Sequence, residues 1–320
     1  MRRLFVFDVD NTLGWKTPSF AAVSTDNATY LREIAKSSDN LLTFATGRPR
    51  SQAIRGMQHG RISPSELPAI FRGSVYEDGL FVQVGSKTVY DAVNEASPKF
   101  RELKNVFFGP EITDFFKTHG FLLVPGKVVR QVESHYELTD YAGNVVGNLE
   151  VPDGMFPLYQ QGNDVRETYK APEGFANDDV NAQKSTFEKV SRLTTNYLES
   201  NHPGWRDTVQ LETWEDAVEI YPKLKGNGDV FIKGLGIGRV MQELDLSSTE
   251  TTKAYICCDG RNDISLVRWA ASNFQDYQAV CPSNVSPELK RALEQGKFKH
   301  VILEEDCTKL AKGLEKVLQN

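Results

Sequence analysis

The chain begins with a run that leaves few options for its fold. Leu4-Phe5-Val6-Phe7 is a compact apolar segment that meets Asp8 at once, with Val9 and Asp10 directly behind it. A short apolar run without polar alternation suits a strand covered on both faces, the condition of a central parallel strand. A secretory core needs roughly 7–15 apolar residues, so the basic Met1-Arg2-Arg3 start is expected to lead into a strand over Leu4–Val9, not a signal peptide. The rhythm then repeats. A helix is expected from about Asn27 to Lys36, with Leu31, Ile34 and Ala35 on one face. A second apolar run, Leu41–Ala45, precedes a helical stretch from Ser51 to about His59. Strand, helix, strand, helix predicts an open α/β sheet.

From about Val82 the texture changes. Val82–Val89, Lys127–Leu138 and Val145–Glu150 are β-rich, and helical patterns lie near Glu111–Thr118 and Val180–Glu199, the latter carrying Phe187, Val190, Leu193, Tyr197 and Leu198 at helical spacing. The polar stretch Tyr159–Asp179 reads as an irregular loop near a binding mouth. After Pro222–Asp229 the α/β rhythm returns: helices over Gly236–Leu244, Ile264–Ala271, Pro287–Gln295 and Cys307–Leu318 alternate with strands at Lys253–Cys258, Gln278–Cys281 and Val301–Leu303. The expected class is therefore α/β, a Rossmann-like doubly wound parallel-sheet core (1–82 and 227–320) with an inserted α+β domain (83–226). At 320 residues the chain is long enough for two such cores.

Composition narrows the function. Lys and Arg total 37 against 43 Asp and Glu, a net charge of −6 without a long basic block, which disfavours nucleic acid as a partner. No apolar run approaches the roughly 20 residues of a membrane span, so no membrane partner is expected. Cys257, Cys258, Cys281 and Cys307 lack paired zinc spacing and are expected to be buried reduced thiols of a cytoplasmic protein.

Asp8-Val9-Asp10-Asn11-Thr12 directly follows the first strand. Strand residues two apart share a side, so Asp8 and Asp10 are expected in one site at the strand's carboxyl end, where open α/β sheets place ligands. Two adjacent carboxylates repel, and a divalent cation relieves the repulsion. One can then attack phosphorus while the other moves a proton. Thr46-Gly47-Arg48 ends the next strand with a hydroxyl and a guanidinium suited to phosphate. Asp259 and Asp263, four apart behind the strand Lys253–Cys258, can converge on a metal, and Mg2+ suits a site of few carboxylates. Lys233-Gly234 opens the helix after the insertion.

Asp-x-Asp-x-Thr, strand-Thr-Gly-Arg, Lys-Gly and Asp-x-x-Asn-Asp, in that order, resemble the motifs of haloacid dehalogenase (HAD) superfamily phosphatases. The branch with a large α/β cap (class IIB, Cof-like) is most similar, and Gly73-Ser74-x-x-Glu77 resembles its sucrose-phosphate phosphatase group. The resemblance implies that 83–226 is a cap governing substrate specificity. It implies that Asp8 becomes a phosphoaspartate, and that Asp10 protonates the leaving oxygen and then activates water. Thr46, Gly47, Arg48 and Lys233 would bind phosphate. Mg2+ would be held by Asp8, the Asp10 carbonyl and Asp259, with Asn262 and Asp263 in support. Two positions depart from the pattern: Cys258 stands where glycine is usual and Arg261 where a small residue is usual.

The expected activity is Mg-dependent hydrolysis of a small-molecule phosphate ester, a hexose or disaccharide phosphate. A phosphomutase of the phosphomannomutase type and a non-catalytic sugar-phosphate binder are the alternatives. His135, Tyr136, Tyr159, Gln160, Arg166 and Trp214 are candidate sugar contacts by residue type. Oligomeric state leaves no mark in the sequence.

Overall fold

The computed structural model describes residues 2–17, 20–95, 98–140, 144–160, 165–175, 180–214, 216–223, 233–246 and 251–319. Among these, the strands of the larger sheet are β1 (Arg2–Phe7), β2 (Asn40–Ala45), β3 (Gly73–Tyr76), β4 (Phe81–Val84), β5 (Lys87–Asp91), β6 (Thr251–Cys257), β7 (Tyr277–Cys281) and β8 (His300–Ile302). Their spatial order is β8-β7-β6-β1-β2-β3-β4-β5. Pairing is parallel from β8 through β3 and antiparallel across β3-β4-β5. The chain leaves β1 toward β2 on one side, and β6 later docks on the other, so the order reverses at β1. Ligands of open α/β sheets bind at such a switch point, at the carboxyl ends of the strands.

Side-chain alternation along β1 builds the two layers. The covering helices are α1 (Thr25–Ala35), α2 (Arg50–His59), α3 (Lys233–Glu243), α4 (Ile264–Asn273), α5 (Pro287–Gln295) and α6 (Leu310–Gln319). Phe5 and Phe7 pack with Leu42, Phe44, Leu31 of α1, Met57 of α2 and Leu314 of α6. Leu4 and Val6 point the other way, to Ile256, Ile237 and Val240 of α3, Val267 of α4 and Leu289 of α5. A strand so enclosed has no polar face, which is why β1 reads as an unbroken apolar run. The core is the doubly wound α/β sheet expected from the sequence.

The chain divides into two compact units, Met1–Asp91 with Phe231–Asn320, and Ala92–Val230. The stretch from Val82 to Val89, expected within the insertion, instead forms the antiparallel extension β4–β5 of the core sheet. Its β-rich texture suggests a change of domain, whereas the change is only from parallel to antiparallel pairing within one sheet.

In the second unit, a five-stranded sheet has the order Val209–Thr213, Ala217–Pro222, Glu167–Lys170, Phe156–Gln160, Phe121–Val124. Helices Pro98–Val106, Pro110–Thr118 and Val180–Asn201 cover one of its faces through Phe100, Phe116, Phe187 and Val190, which cluster with Tyr169 and Ile220 of the sheet. A separate three-stranded sheet contains Val128–Val132, His135–Thr139 and Val145–Leu149. The stretch Tyr159–Asp179 is not the irregular loop expected, because Glu167–Lys170 is the central strand of this five-stranded sheet. Its polarity concealed it. Glu167 is buried with Lys104 at 3.4 Å, and the buried Tyr169 hydroxyl donates to the Phe107 carbonyl at 2.6 Å. Residues 161–164 and 176–179 of that stretch and most of Pro222–Asp229 lie outside the described residues.

All four cysteines are buried and unbridged. Cys258 and Cys281 bring their sulfurs to 3.9 Å. No described helix is long and apolar enough to cross a membrane.

One buried side chain ties the loop after β1 to the C-terminal segment. Asn27, on α1, donates to the Leu13 and Cys307 carbonyls at 2.8 and 2.7 Å and accepts from the Ala311 amide at 3.0 Å. Removing it strands these backbone groups away from water, so Asn27→Ala is expected to lower unfolding free energy by about 3 kcal/mol, read as a fall in the urea midpoint at unchanged slope.

Candidate active site

The site grows out of strand ends. Phe7 pairs with Cys257 on one side and Phe44 on the other, so the residues just beyond these strands emerge along one edge. The Asp8 amide continues the ladder to the Cys257 carbonyl at 2.8 Å. The strand itself stops at Phe7. Beyond it the chain turns, with Asn11 left-handed at φ 51° and its amide on the Gly14 carbonyl at 2.7 Å. Strand alternation therefore does not govern Asp8 and Asp10, and their carboxylates take different partners.

Asp8 belongs to a buried cluster around Lys233. The Lys233 ammonium, 1% exposed, donates to Asp8 Oδ1 at 2.8 Å and Asp263 Oδ1 at 2.7 Å, and lies 3.9 Å from Asp78 Oδ1. Gly234 permits this approach. A Cβ there would sit 2.6 Å from the Ser265 carbonyl oxygen and 2.6 Å from Trp269 Cβ, both on α4. The Lys-Gly pair is thus a charge and the close helix contact that seats it.

Asp259 follows β6 and accepts from the Thr12 hydroxyl at 2.9 Å. Asp263 braces the turn between them, its Oδ2 accepting from the Asp259 and Gly260 amides at 3.2 and 3.1 Å. Carboxylate oxygens of Asp8, Asp259 and Asp263 all lie within 4.8 Å of one another. Burial, then the Asp263 charge, pushes Asp8 well above the usual carboxylate range despite the opposing pull of Lys233. Burial and Asp263 likewise push Asp259 up to about 7, against the Thr12 hydrogen bond. Burial would drive Lys233 down, but Asp263, Asp8 and Asp78 together hold it well above the ordinary lysine value. Such crowding fits a hard dication. The donors are all oxygens, and Asp8 Oδ2 and Asp259 Oδ2 accept no hydrogen bond among the described residues.

Asp10 turns to Arg48 instead. The Arg48 Nε lies 3.1 and 3.0 Å from the two Asp10 carboxylate oxygens, and Nη2 lies 2.7 Å from Oδ1. Burial raises the Asp10 carboxyl, but Arg48's charge and hydrogen bonds, with Lys16 and Lys233, outweigh it and leave the group below its ordinary value. Arg48, expected on phosphate, thus has its guanidinium on Asp10. Thr46 is buried, and its hydroxyl accepts from the Arg48 amide at 3.1 Å. Asn262 donates to Asp78 Oδ1 at 3.3 Å. Of the two departures from the motif pattern, Cys258 is buried against Cys281 and Arg261 is exposed.

Thr12 and Asp78 join the site without having been singled out. Thr12 closes the Asp-x-Asp-x-Thr motif, and only the docking of β6 beside β1 gives it its partner. Asp78 sits in a turn where Glu77, Asp78 and Gly79 all have positive φ (47°, 57° and 106°). The amides of Glu77 and Asp78 donate to the Arg48 and Thr46 carbonyls at 3.1 and 3.0 Å. Gly47 makes room for it, since a Cβ there would lie 3.1 Å from the Asp78 carboxylate. Strain at consecutive non-glycine residues is characteristic of functional turns.

No protein-family model matches the chain, and no curated protein matches it by sequence. Solved structures do. A HAD subclass IIB sugar phosphatase is 16% identical with a TM-score of 0.51, over 100% of this chain and 98% of that one. The C-terminal domain of C. albicans trehalose-6-phosphate phosphatase is 16% identical with a TM-score of 0.55, over 99% and 93%. Aspergillus fumigatus trehalose-6-phosphate phosphatase is 14% identical with a TM-score of 0.51, over 100% and 93%. The chain has the HAD superfamily fold. At these identities the likeness is one of architecture, and the chemistry has to be argued from the residues themselves. In this chain the segments bearing Asp8, Asp78, Lys233 and Asp259–Asp263 meet at one end of the core sheet.

Two measurements test the electrostatics. Lys233→Met leaves buried carboxylates without their cation and is expected to cost about 3–5 kcal/mol of unfolding free energy, read by urea titration in EDTA. For Asp259, a folded value raised to about 7 against an unfolded one near ~3.9 means that ionisation opposes folding. The penalty is absent at acid pH, grows as pH rises between the two values and is complete above the folded one. Without metal, Asp259→Asn is therefore expected to be more stable than wild type at pH 8, the gap closing as pH falls to 5.

Proposed function

We propose that the protein is a Mg-dependent phosphatase that hydrolyses a sugar phosphate, hexose or disaccharide, through a phosphoaspartate. The observation that carries the reading is the buried Lys233 ammonium held between Asp8 and Asp263 beside the Asp259 carboxylate. A pure binding site has no use for a carboxylate with an oxygen left free of hydrogen bonds next to a cation, whereas in-line attack on phosphorus needs both.

In this reading Asp8 Oδ2 attacks phosphorus as the bond to the leaving sugar oxygen breaks, and Asp10 gives that oxygen its proton. Water then attacks the phosphoaspartate, Asp10 takes the water's proton, and Asp8 is regenerated as phosphate leaves. The same group serves as acid and then base. The Arg48 pair keeps Asp10 ionised at rest, the state needed to accept a proton, and an incoming phosphate dianion favours its protonation for the first step. Lys233, the Thr46 hydroxyl and the Gly47 amide hold the phosphoryl oxygens. Asp8, Asp259 and the Asp10 carbonyl would hold Mg2+, with Asn262 and Asp263 behind them, and when bound it would neutralise charge on the phosphoryl group.

The sugar part of the reading is supported by the neighbours, which are described as a sugar phosphatase and as trehalose-6-phosphate phosphatases. The unit Ala92–Val230 is proposed to carry specificity, as the resemblance implies, and the protein is proposed to act in the cytoplasm.

The expected result is phosphate release from hexose and disaccharide phosphates in Mg2+. Release should vanish in EDTA and in Asp8→Asn, and kcat should fall by about 10²–10⁴-fold in Asp10→Asn. Silence toward every ester, p-nitrophenyl phosphate included, overturns the proposal. Bisphosphate-dependent isomerisation without net release would identify a mutase instead.

A further inference from the structure

Arg48 stands in a motif whose arginine was expected to bind phosphate, yet its donors are committed elsewhere. Nε and Nη2 meet both oxygens of Asp10 at 2.7–3.1 Å. Nη1 donates to Gln52 Oε1 at 3.0 Å, one turn along α2, and Nη2 also reaches the Thr17 carbonyl. The side chain is buried, 5% exposed, and Gln52 beside it is buried as well. A guanidinium fastened at three points cannot swing to a phosphate without giving up a buried ion pair, and a planar fork is the one cationic group that can fix both oxygens of a carboxylate at once.

Asp10 needs such a hold. It lies beyond the end of β1, in a turn with left-handed Asn11, and its backbone makes only an isolated bridge to Gly14 among the described residues. A carboxylate in that position has rotamers to choose from, and proton transfer is sensitive to placement at the scale of an ångström. We infer that Arg48 is a positioning residue that acts on the reaction through Asp10, fixing the orientation of the carboxylate, and not a ligand of the substrate phosphate. The inference rests on the phosphatase reading and gives one member of its proposed phosphate-binding set a different task.

The test is a double-mutant cycle on the full chain with Mg2+, using glucose 6-phosphate or whichever sugar phosphate the wild type turns over, and p-nitrophenyl phosphate. The nitrophenolate leaves without a proton, so its expulsion does not need Asp10 as an acid. Arg48→Ala is expected to lower kcat for the sugar phosphate by about 10²-fold while KM stays within about twofold. The first-turnover burst with the aryl phosphate should be nearly spared. Arg48→Lys should fall almost as far, because a point charge cannot fork. In an Asp10→Asn background, Arg48→Ala should cost less than about threefold more, since it would have nothing left to position.

Additive losses, or a KM and an inorganic-phosphate inhibition constant that rise together for both substrates, would place Arg48 on the phosphate and overturn the inference while leaving the phosphatase reading intact. If Arg48→Ala does not fold, the cycle with Arg48→Lys and Asp10→Asn decides the same question. A wild type that releases phosphate from no ester sinks the phosphatase reading, and this inference with it.

Discussion

The ammonium of Lys233 has no water to turn to. Buried with Asp8 and Asp263 on its hydrogen bonds and Asp78 nearby, it is stable there only because several carboxylates share the desolvation. They in turn are stable only because it is present. Neither side of the arrangement is tolerable without the other. This mutual dependence links the end of β1, the turn after β3, the start of α3 and the turn after β6, segments far apart in the chain that belong to one sheet edge in space.

The sheet supplies the meeting place. Because the strand order reverses at β1, β2 and β6 flank it, and loops on both sides open toward the same edge. Glycines then let charged groups approach closely: Gly234 brings α3 onto α4 so that Lys233 reaches Asp263, and Gly47 admits the Asp78 carboxylate. Burial first, and then the neighbouring negative charge of Asp263, hold Asp8 well above ordinary carboxylates and raise Asp259 as well. A site left in that condition favours a dication.

Asp10 shows how two neighbours in sequence part company. Asp8 takes its place from the sheet ladder, whereas Asp10 takes its place from Arg48 in the loop between β2 and α2. One carboxylate is raised by burial among like charges and the other is held ionised by a forked cation. Groups whose environments push them apart in this way suit opposite tasks, the division proposed above for Asp8 and Asp10.

The apolar runs of β1, β2 and β6, the helices between them and the order of the acidic motifs were all legible in the sequence. Local burial on both faces of a strand writes itself as an uninterrupted apolar run, and a parallel sheet needs a helix between its strands. What the residues alone determined was thus the class of the core and the identity of Asp8, Lys233, Asp259 and Asp263 as members of one candidate site. Several features were decided only in three dimensions. Glu167–Lys170 is a central strand despite its polarity, because Lys104 and the Phe107 carbonyl satisfy its buried groups. β4–β5 belongs to the core because hydrogen bonds to β3 put it there. Asp78, Thr12 and the Arg48–Asp10 pair depend on which loops face one another. The reason is common to all of them: periodicity reports what a segment buries along its own length, whereas partners for buried charges come from distant segments that only the packed sheet brings within reach.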